Sequence, residues 1–315
     1  MNLPDPRHLA GIRFGLSISA APDMPAAGDA ERAVAGLTFR LASTILLEGG
    51  TLLLGHRWIP DGIMEHLAFQ ARDNRWNAVR RSAEASGEAP ILNLIAWPDS
   101  PLSEDRNAQR MIAEGVLSVR QVPPPGIAMD QFDVDPAKAL ASDLGQFARI
   151  RALTALRQEM VRCTDARVCV GGAAGNPLRR LPGVIEEALL TAKAGKPLYL
   201  SGALGGAAKA MADALLRRRL SDEARAMFFT PPAIAGLLSA HSAAFPVPPE
   251  EGPSSEDGWN ALDDLQAIPL AQLGAKSGLT EEEYVQLLTS TDVQRVLGLA
   301  IAGINRLRGS GSSPV

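Results

Sequence analysis

Short apolar runs alternate along the first two thirds of the chain with longer stretches in which apolar positions recur every three or four residues. The segment 12–19 is β-rich and meets a breaker run over 20–25, which predicts a first strand ending in a loop. Over 29–47, Val34, Leu37, Leu41, Ile45 and Leu46 fall on one helical stripe. Gly49 and Gly50 stop it, and 51–54 (TLLL) predicts a second strand. The order then repeats. A helix is predicted over 60–84, a third strand over 90–96, a fourth over 116–122 and a long helix over 136–162. A fifth strand over 167–170, a helix over 184–194, a sixth strand over 197–201 and a helix over 205–216 follow. Strands that are apolar without alternation are buried on both faces. Their alternation with helices predicts an α/β protein with a Rossmann-like parallel sheet covered on both faces, and leaves strand order open.

After about residue 220 the strand signal vanishes. A Pro-rich segment over 245–258, with Ser, Glu and Gly, reads as loop or linker. Thr280 and Glu283 have the spacing of a capping box, and a last helix is predicted over 292–308. The organisation expected is a nucleotide-binding domain over 1–220 and a small helical extension over 221–315.

Composition narrows the function classes. A net charge of −4 gives no general attraction for nucleic-acid backbones, so duplex DNA is disfavoured as a ligand. The two cysteines, Cys163 and Cys169, form no CxxC pair, and the four histidines are scattered. Neither a zinc site nor a disulfide framework is expected. Cys169, in the apolar run 168–170, reads as a buried structural cysteine. The N-terminus lacks the regions of a signal peptide, and no apolar stretch approaches the roughly 20 residues of a membrane span. A cytoplasmic protein is expected, with no membrane partner and no resident cofactor.

In an open parallel sheet, ligands bind outside the carboxyl ends of the strands. Three strand ends here are rich in small residues. At the first, Ser17 and Ser19 offer hydroxyls to phosphate or sugar oxygens, though an ordinary strand-to-loop turn reads equally well. At the second, Gly55 and Gly62 expose backbone N–H groups and Arg57 adds charge; the structural alternative is a tight turn with a solvated arginine. The third is the most informative. Gly171 and Gly172 leave the strand, Arg179 and Arg180 follow, and Pro182-Gly183 opens a helix with Glu186 and Glu187 in its first turn. Such arginines suit phosphate and a carboxylate suits ribose hydroxyls, while acidic residues at a helix start also serve the helix dipole alone. Gly205 and Gly206 join another strand to a helix in the same way. Neither a Walker motif nor a full GxGxxG is present; the repetition at successive strand ends is the signal.

The segments GLSISAAPD, LLEGGTLLLGHRWIPDGIMEHL and RVCVGGAAGNPLRRLPGVIEEALLTAKAGKPLYLSGALGGAA resemble the SLOG superfamily, Rossmann-like domains related to DprA and LOG. The C-terminal GLTEEEYVQLLTSTDVQRVLGLAIAGI is similar to the tails of large stand-alone prokaryotic members, so the likeness covers most of the chain. LOG enzymes hydrolyse the N-glycosidic bond of nucleoside monophosphates with a PGGxGTxxE loop. Other members, in TRPM channels and Thoeris-type antiphage systems, bind ADP-ribose or cyclic ADP-ribose-like signals. This chain has Pro182-Gly183 and Glu186-Glu187 but lacks the GGxGT core, and carries Gly55-His56-Arg57 where relatives continue with a second glycine and an acidic residue.

The resemblance therefore implies a sensor of a nucleotide-derived small molecule, with an effector protein or a second copy of the chain as partner. Gly171, Gly172, Arg179, Arg180, Pro182 and Gly183 would hold phosphate. Ser17, Ser19, Gly55, Arg57, Gly62, Gly205 and Gly206 would line the pocket, and Glu187 or Glu186 would meet a ribose. The alternatives are a nucleotide N-glycoside hydrolase or transferase, with Glu187 or Glu186 catalytic, and a structural or oligomerisation subunit.

Overall fold

A computed structural model describes residues 9–19, 27–55, 63–72, 88–99, 105–173, 181–202, 204–219, 221–222, 232–246 and 266–309. In chain order the elements are β1 (Arg13–Ser19), α1 (Ala27–Leu47), β2 (Thr51–Leu54), α2 (Ile63–Arg72), β3 (Ile91–Ala96), α3 (Arg106–Ala113) and β4 (Leu117–Val122). Then come α4 (Pro136–Ala139), α5 (Asp143–Cys163), β5 (Ala166–Gly171), α6 (Gly183–Lys193), β6 (Leu198–Ser201) and α7 (Gly206–Arg217). The remainder is helical: α8 (Pro232–His241), α9 (Leu270–Lys276), α10 (Glu281–Thr289) and α11 (Val293–Gly309). The six strands form one sheet in the order β4-β3-β2-β1-β5-β6, every pair parallel. This is the Rossmann-like α/β architecture that the apolar, non-alternating strands imply, followed by C-terminal helices.

Register sorts the side chains by face, because successive residues of a strand point to opposite sides. Gly15, Ser17 and Ser19 pair with Arg167, Cys169 and Gly171, so these six share one face. Beside them, Leu53, Leu94, Ala96 and Val122 pack against Phe147, Leu156 and Met160 of α5. A second and larger cluster joins Phe14, Leu16, Ile18, Leu52 and Leu54 to Leu41 of α1, Leu67 of α2 and Met211 of α7. Cys169 is fully buried, and burial pushes its thiol up to about 12.

Several elements differ from the sequence expectation. The long helix over 136–162 is two helices. The Asp135 side chain accepts from the Ala137 N–H to start α4, and Ser142 accepts from the Gly145 N–H to start α5. The chain folds back so closely that a Cβ on Gly145 would stand 1.8 Å from the Ala139 carbonyl oxygen. An apolar stripe running through both pieces hides such a break. α3, α8 and α9 were not individually foreseen. α3 is mostly polar, buries only Ala108 and Met111, and owes its start to Asp105, which accepts from the Asn107 and Ala108 N–H groups. Of the helix expected over 60–84, 63–72 is helical and the rest lies outside the described residues.

The C-terminal helices occupy the open edge of β6. Ser277 Oγ accepts from the Leu198 N–H at 3.3 Å and donates to the Leu198 carbonyl at 3.2 Å, standing in for a seventh strand. Tyr284 donates to the same carbonyl, Tyr199 donates to the Ser277 carbonyl, and the Gly202 N–H donates to the Leu288 carbonyl. Approach is close enough that a Cβ on Gly303 would lie 2.2 Å from the Ser277 carbonyl oxygen. α10 opens on the expected capping box, with Thr280 and Glu283 satisfying each other's backbone N–H.

Two predictions follow from this packing. Iodoacetamide should modify Cys163, which is partly exposed, in the native protein, and Cys169 only after denaturation; mass spectrometry reads the adducts. The Arg306 hydrogen bond holds the Glu283 carboxyl down to about 2, below its unfolded value of about 4.3. A depressed carboxyl stabilises the fold above its unfolded pKa, and that contribution disappears as pH falls toward the folded pKa. Helical circular dichroism should therefore decline on acidification through this window, and Glu283→Gln should flatten that part of the titration.

Candidate functional site

The chain lays β1 to β4 outward to one side, then returns to place β5 on the other side of β1. β1 is followed in chain order by β2 on one side and β5 by β6 on the other, so the carboxyl ends of β1 and β5 form the topological switch point, where doubly wound sheets bind ligands. Ser19 and Gly171 are the paired residues at this point. Gly171 has φ +70°, and a Cβ there would lie 2.2 Å from the Ser19 carbonyl oxygen, so only glycine lets the strands end this close together. Gly172, at φ +96°, donates to that same carbonyl at 2.9 Å and accepts from the Ala207 N–H at 3.0 Å. Its missing side chain also admits Val184, whose Cγ2 would stand 2.8 Å from a Cβ.

Gly172 thus gathers the end of β1, the first turn of α6 and the first turn of α7. α6 follows Pro182 and α7 follows Gly205, and neither residue caps its helix with a side chain. First-turn N–H groups have no intrahelical acceptor and carry the positive end of the helix dipole. Two such ends flanking small-residue strand tips suit an anionic oxygen cluster.

Beneath this rim lies a buried charge network. Arg167, on β5, is completely inaccessible. Its Nη1 donates to Ser17 Oγ at 2.8 Å and to Glu187 Oε2 at 2.7 Å, and Ser17 donates to Glu187 as well. Arg157 of α5 donates from Nη1 to Glu186 Oε2, with Nε 3.9 Å from Glu187 Oε1. Two arginines and two carboxylates balance, as buried charge requires. Gly15 makes room for the network, since a Cβ there would lie 2.7 Å from Arg167 Cζ.

Of the residues expected at the site, Ser19, Gly171 and Gly172 come together at the switch point, with Pro182, Gly183, Gly205 and Gly206 opening the two helices beside it. Ser17 and Glu187 meet one layer deeper. Glu186 is buried against Arg157. Gly55 follows β2 and lies over α5, where a Cβ would meet Met160 Sδ at 2.7 Å. Arg57, Gly62, Arg179 and Arg180 lie outside the described residues. Sequence reasoning passed over Gly15, Arg157 and Arg167. Arg167 carried a signal: an arginine within an otherwise apolar central strand must find a buried partner. Among the described residues, no group of three His, Cys, Asp or Glu is placed to hold a metal ion.

Breaking one of these buried pairs strands a charge, which typically costs about 3–5 kcal/mol. Arg157→Met should therefore lower stability by roughly that amount in chemical denaturation, and Arg157→Met with Glu186→Leu should recover much of it. Gly171→Ala, forced against the Ser19 carbonyl at positive φ, should cost about 1–3 kcal/mol in the same measurement.

A protein-family model described as SLOG cluster2 matches residues 8–234, well over half of the chain. The match begins before β1 and ends within α8, so it takes in the whole sheet and both helices that start at the switch point. No curated protein matches the chain. The chain belongs to the SLOG superfamily, in the group described as cluster2, and its function is in the broad sense nucleotide-related.

Proposed function

We propose that this SLOG protein is a sensor that binds a nucleotide-derived ligand with an ADP-ribose-like moiety, without turnover, in a prokaryotic conflict or stress pathway. The observation that carries this reading is the convergence at Gly172 of a strand end and two helix starts without side-chain caps, directly at the switch point. The first-turn backbone of α6 and α7, at Gly183 and Gly206, takes the phosphates, with Pro182 setting the turn and Gly171, Gly172 and Gly205 allowing the close approach. Arg179 and Arg180, in the segment between β5 and α6, supply positive charge. Ser19 lines the site, Gly55, Arg57 and Gly62, in the stretch of sequence that follows β2, contribute further contacts, and Ser17 and Glu187 take the ribose. An effector protein or a second copy of the chain receives the signal.

The state of the carboxylates supports binding over turnover. General acid catalysis needs a protonated carboxyl within reach of the leaving group. Glu187 instead accepts from Arg167 and Ser17, and Glu186 pairs with Arg157. Both carboxylates are thereby engaged as hydrogen-bond acceptors of buried arginines.

Mass spectrometry of co-purifying small molecules, then calorimetry with ADP-ribose, its cyclic isomers and nucleoside monophosphates, tests the reading. We expect an ADP-ribose-like compound to bind and no base or nicotinamide to be released from AMP, CMP or NAD. Base release that disappears in Glu187→Gln would instead identify a hydrolase; neither binding nor release would leave a structural subunit. Arg180→Ala should weaken binding by about 1.5–3 kcal/mol, the usual loss for a hydrogen bond to a charged group, with an unchanged circular dichroism spectrum.

A further inference from the structure

The geometry points to Arg167 as a positioning residue, one that fixes which oxygen of Glu187 is offered to the ligand's sugar; the inference rests on the ribose-binding role proposed for Glu187. Glu187 Oε2 is committed twice, accepting from Arg167 Nη1 and from Ser17 Oγ. Among the described residues, the polar contact of Oε1 is with Arg157 Nε, at the long distance of 3.9 Å. A carboxylate pinned by one oxygen presents the other in a single orientation, as an acceptor for a sugar hydroxyl.

The surroundings are arranged around that guanidinium rather than around core packing. Its neighbours along β5, Ala166, Val168, Cys169 and Val170, are buried and apolar, and an apolar residue at 167 would fill the strand without desolvating a charge. Arg167 carries that cost with Nε and Nη2 unpartnered among the described residues. Position 15 of the neighbouring strand is glycine, and a Cβ there would overlap the guanidinium. Glu186 has its own cation in Arg157, so Arg167 is not needed to neutralise it. Two strands, β1 and β5, thus give up packing to place one cation against one carboxylate.

The test is a double-mutant cycle read in parallel by ADP-ribose calorimetry and by thermal melting, using wild type, Arg167→Met, Glu187→Gln and the double variant. Because Arg167 acts through Glu187, Arg167→Met should weaken ADP-ribose binding at least tenfold in the wild-type background and have little further effect once Glu187 is Gln. Arg167→Lys should restore part of the affinity and stands in for Arg167→Met if that variant does not fold. A lower melting temperature with wild-type affinity, or an equal loss of affinity in both backgrounds, would overturn the assignment. If wild type binds no ADP-ribose, the sensor reading fails on its own. The positioning role is then decided by crystal structures of wild type and Arg167→Lys. A Glu187 carboxylate that swings off Ser17 in the variant supports the role, and one that stays in place refutes it.

Discussion

Strand β1 pairs with β2 on one side and with β5, more than a hundred residues further along the chain, on the other. The second pairing sets the reversal of strand order and aligns Ser19 with Gly171. Everything at the rim is referred to that alignment. The Gly172 N–H reaches the Ser19 carbonyl, its own carbonyl reaches Ala207, and the starts of α6 and α7 are fixed as a result. A slip of one residue would turn Arg167 to the opposite face and leave it among the apolar side chains of α1 and α7, so the charged pair and the register enforce one another.

The buried network is also where the site and the core are hardest to separate. Arginine is rarely buried this completely, and ion pairs in the interior seldom repay their desolvation. On the ribose-binding role proposed for Glu187, their presence beside the switch point is a form of preorganisation. Side chains that a ligand would otherwise have to order are held in advance by partners that are themselves immobile, which reduces the entropic cost of binding.

Much of the architecture was legible because parallel strands advertise themselves: TLLL, ILNLIA and LYLS are short, mostly apolar runs without alternation. The close approach at the switch point was legible in part, since Gly171 and Gly172 are the sort of residue that it demands. Strand order was not, because pairing partners far apart in the chain leave no local periodicity. Gly15 and Arg157 were invisible for a related reason. A glycine in a strand and an arginine on a helix acquire meaning only when the residue facing each is known. The break between α4 and α5 escaped because capping by Ser142 was masked by an apolar stripe that crosses it.

The covering of β6 by Ser277, Tyr284 and Leu288 has a bearing on how the polypeptide can be divided. An uncovered strand at the border of a parallel sheet is a template for another chain, and natural proteins shield such borders. Here the shield comes from helices that begin after residue 266, beyond the end of the segment shared with the family. A boundary drawn by sequence similarity would leave Leu198 with an unpaired amide and carbonyl facing solvent. The unit with a covered sheet edge is therefore longer than the segment the family model matches, and fragments cut at the shorter limit would be exposed to edge-to-edge association.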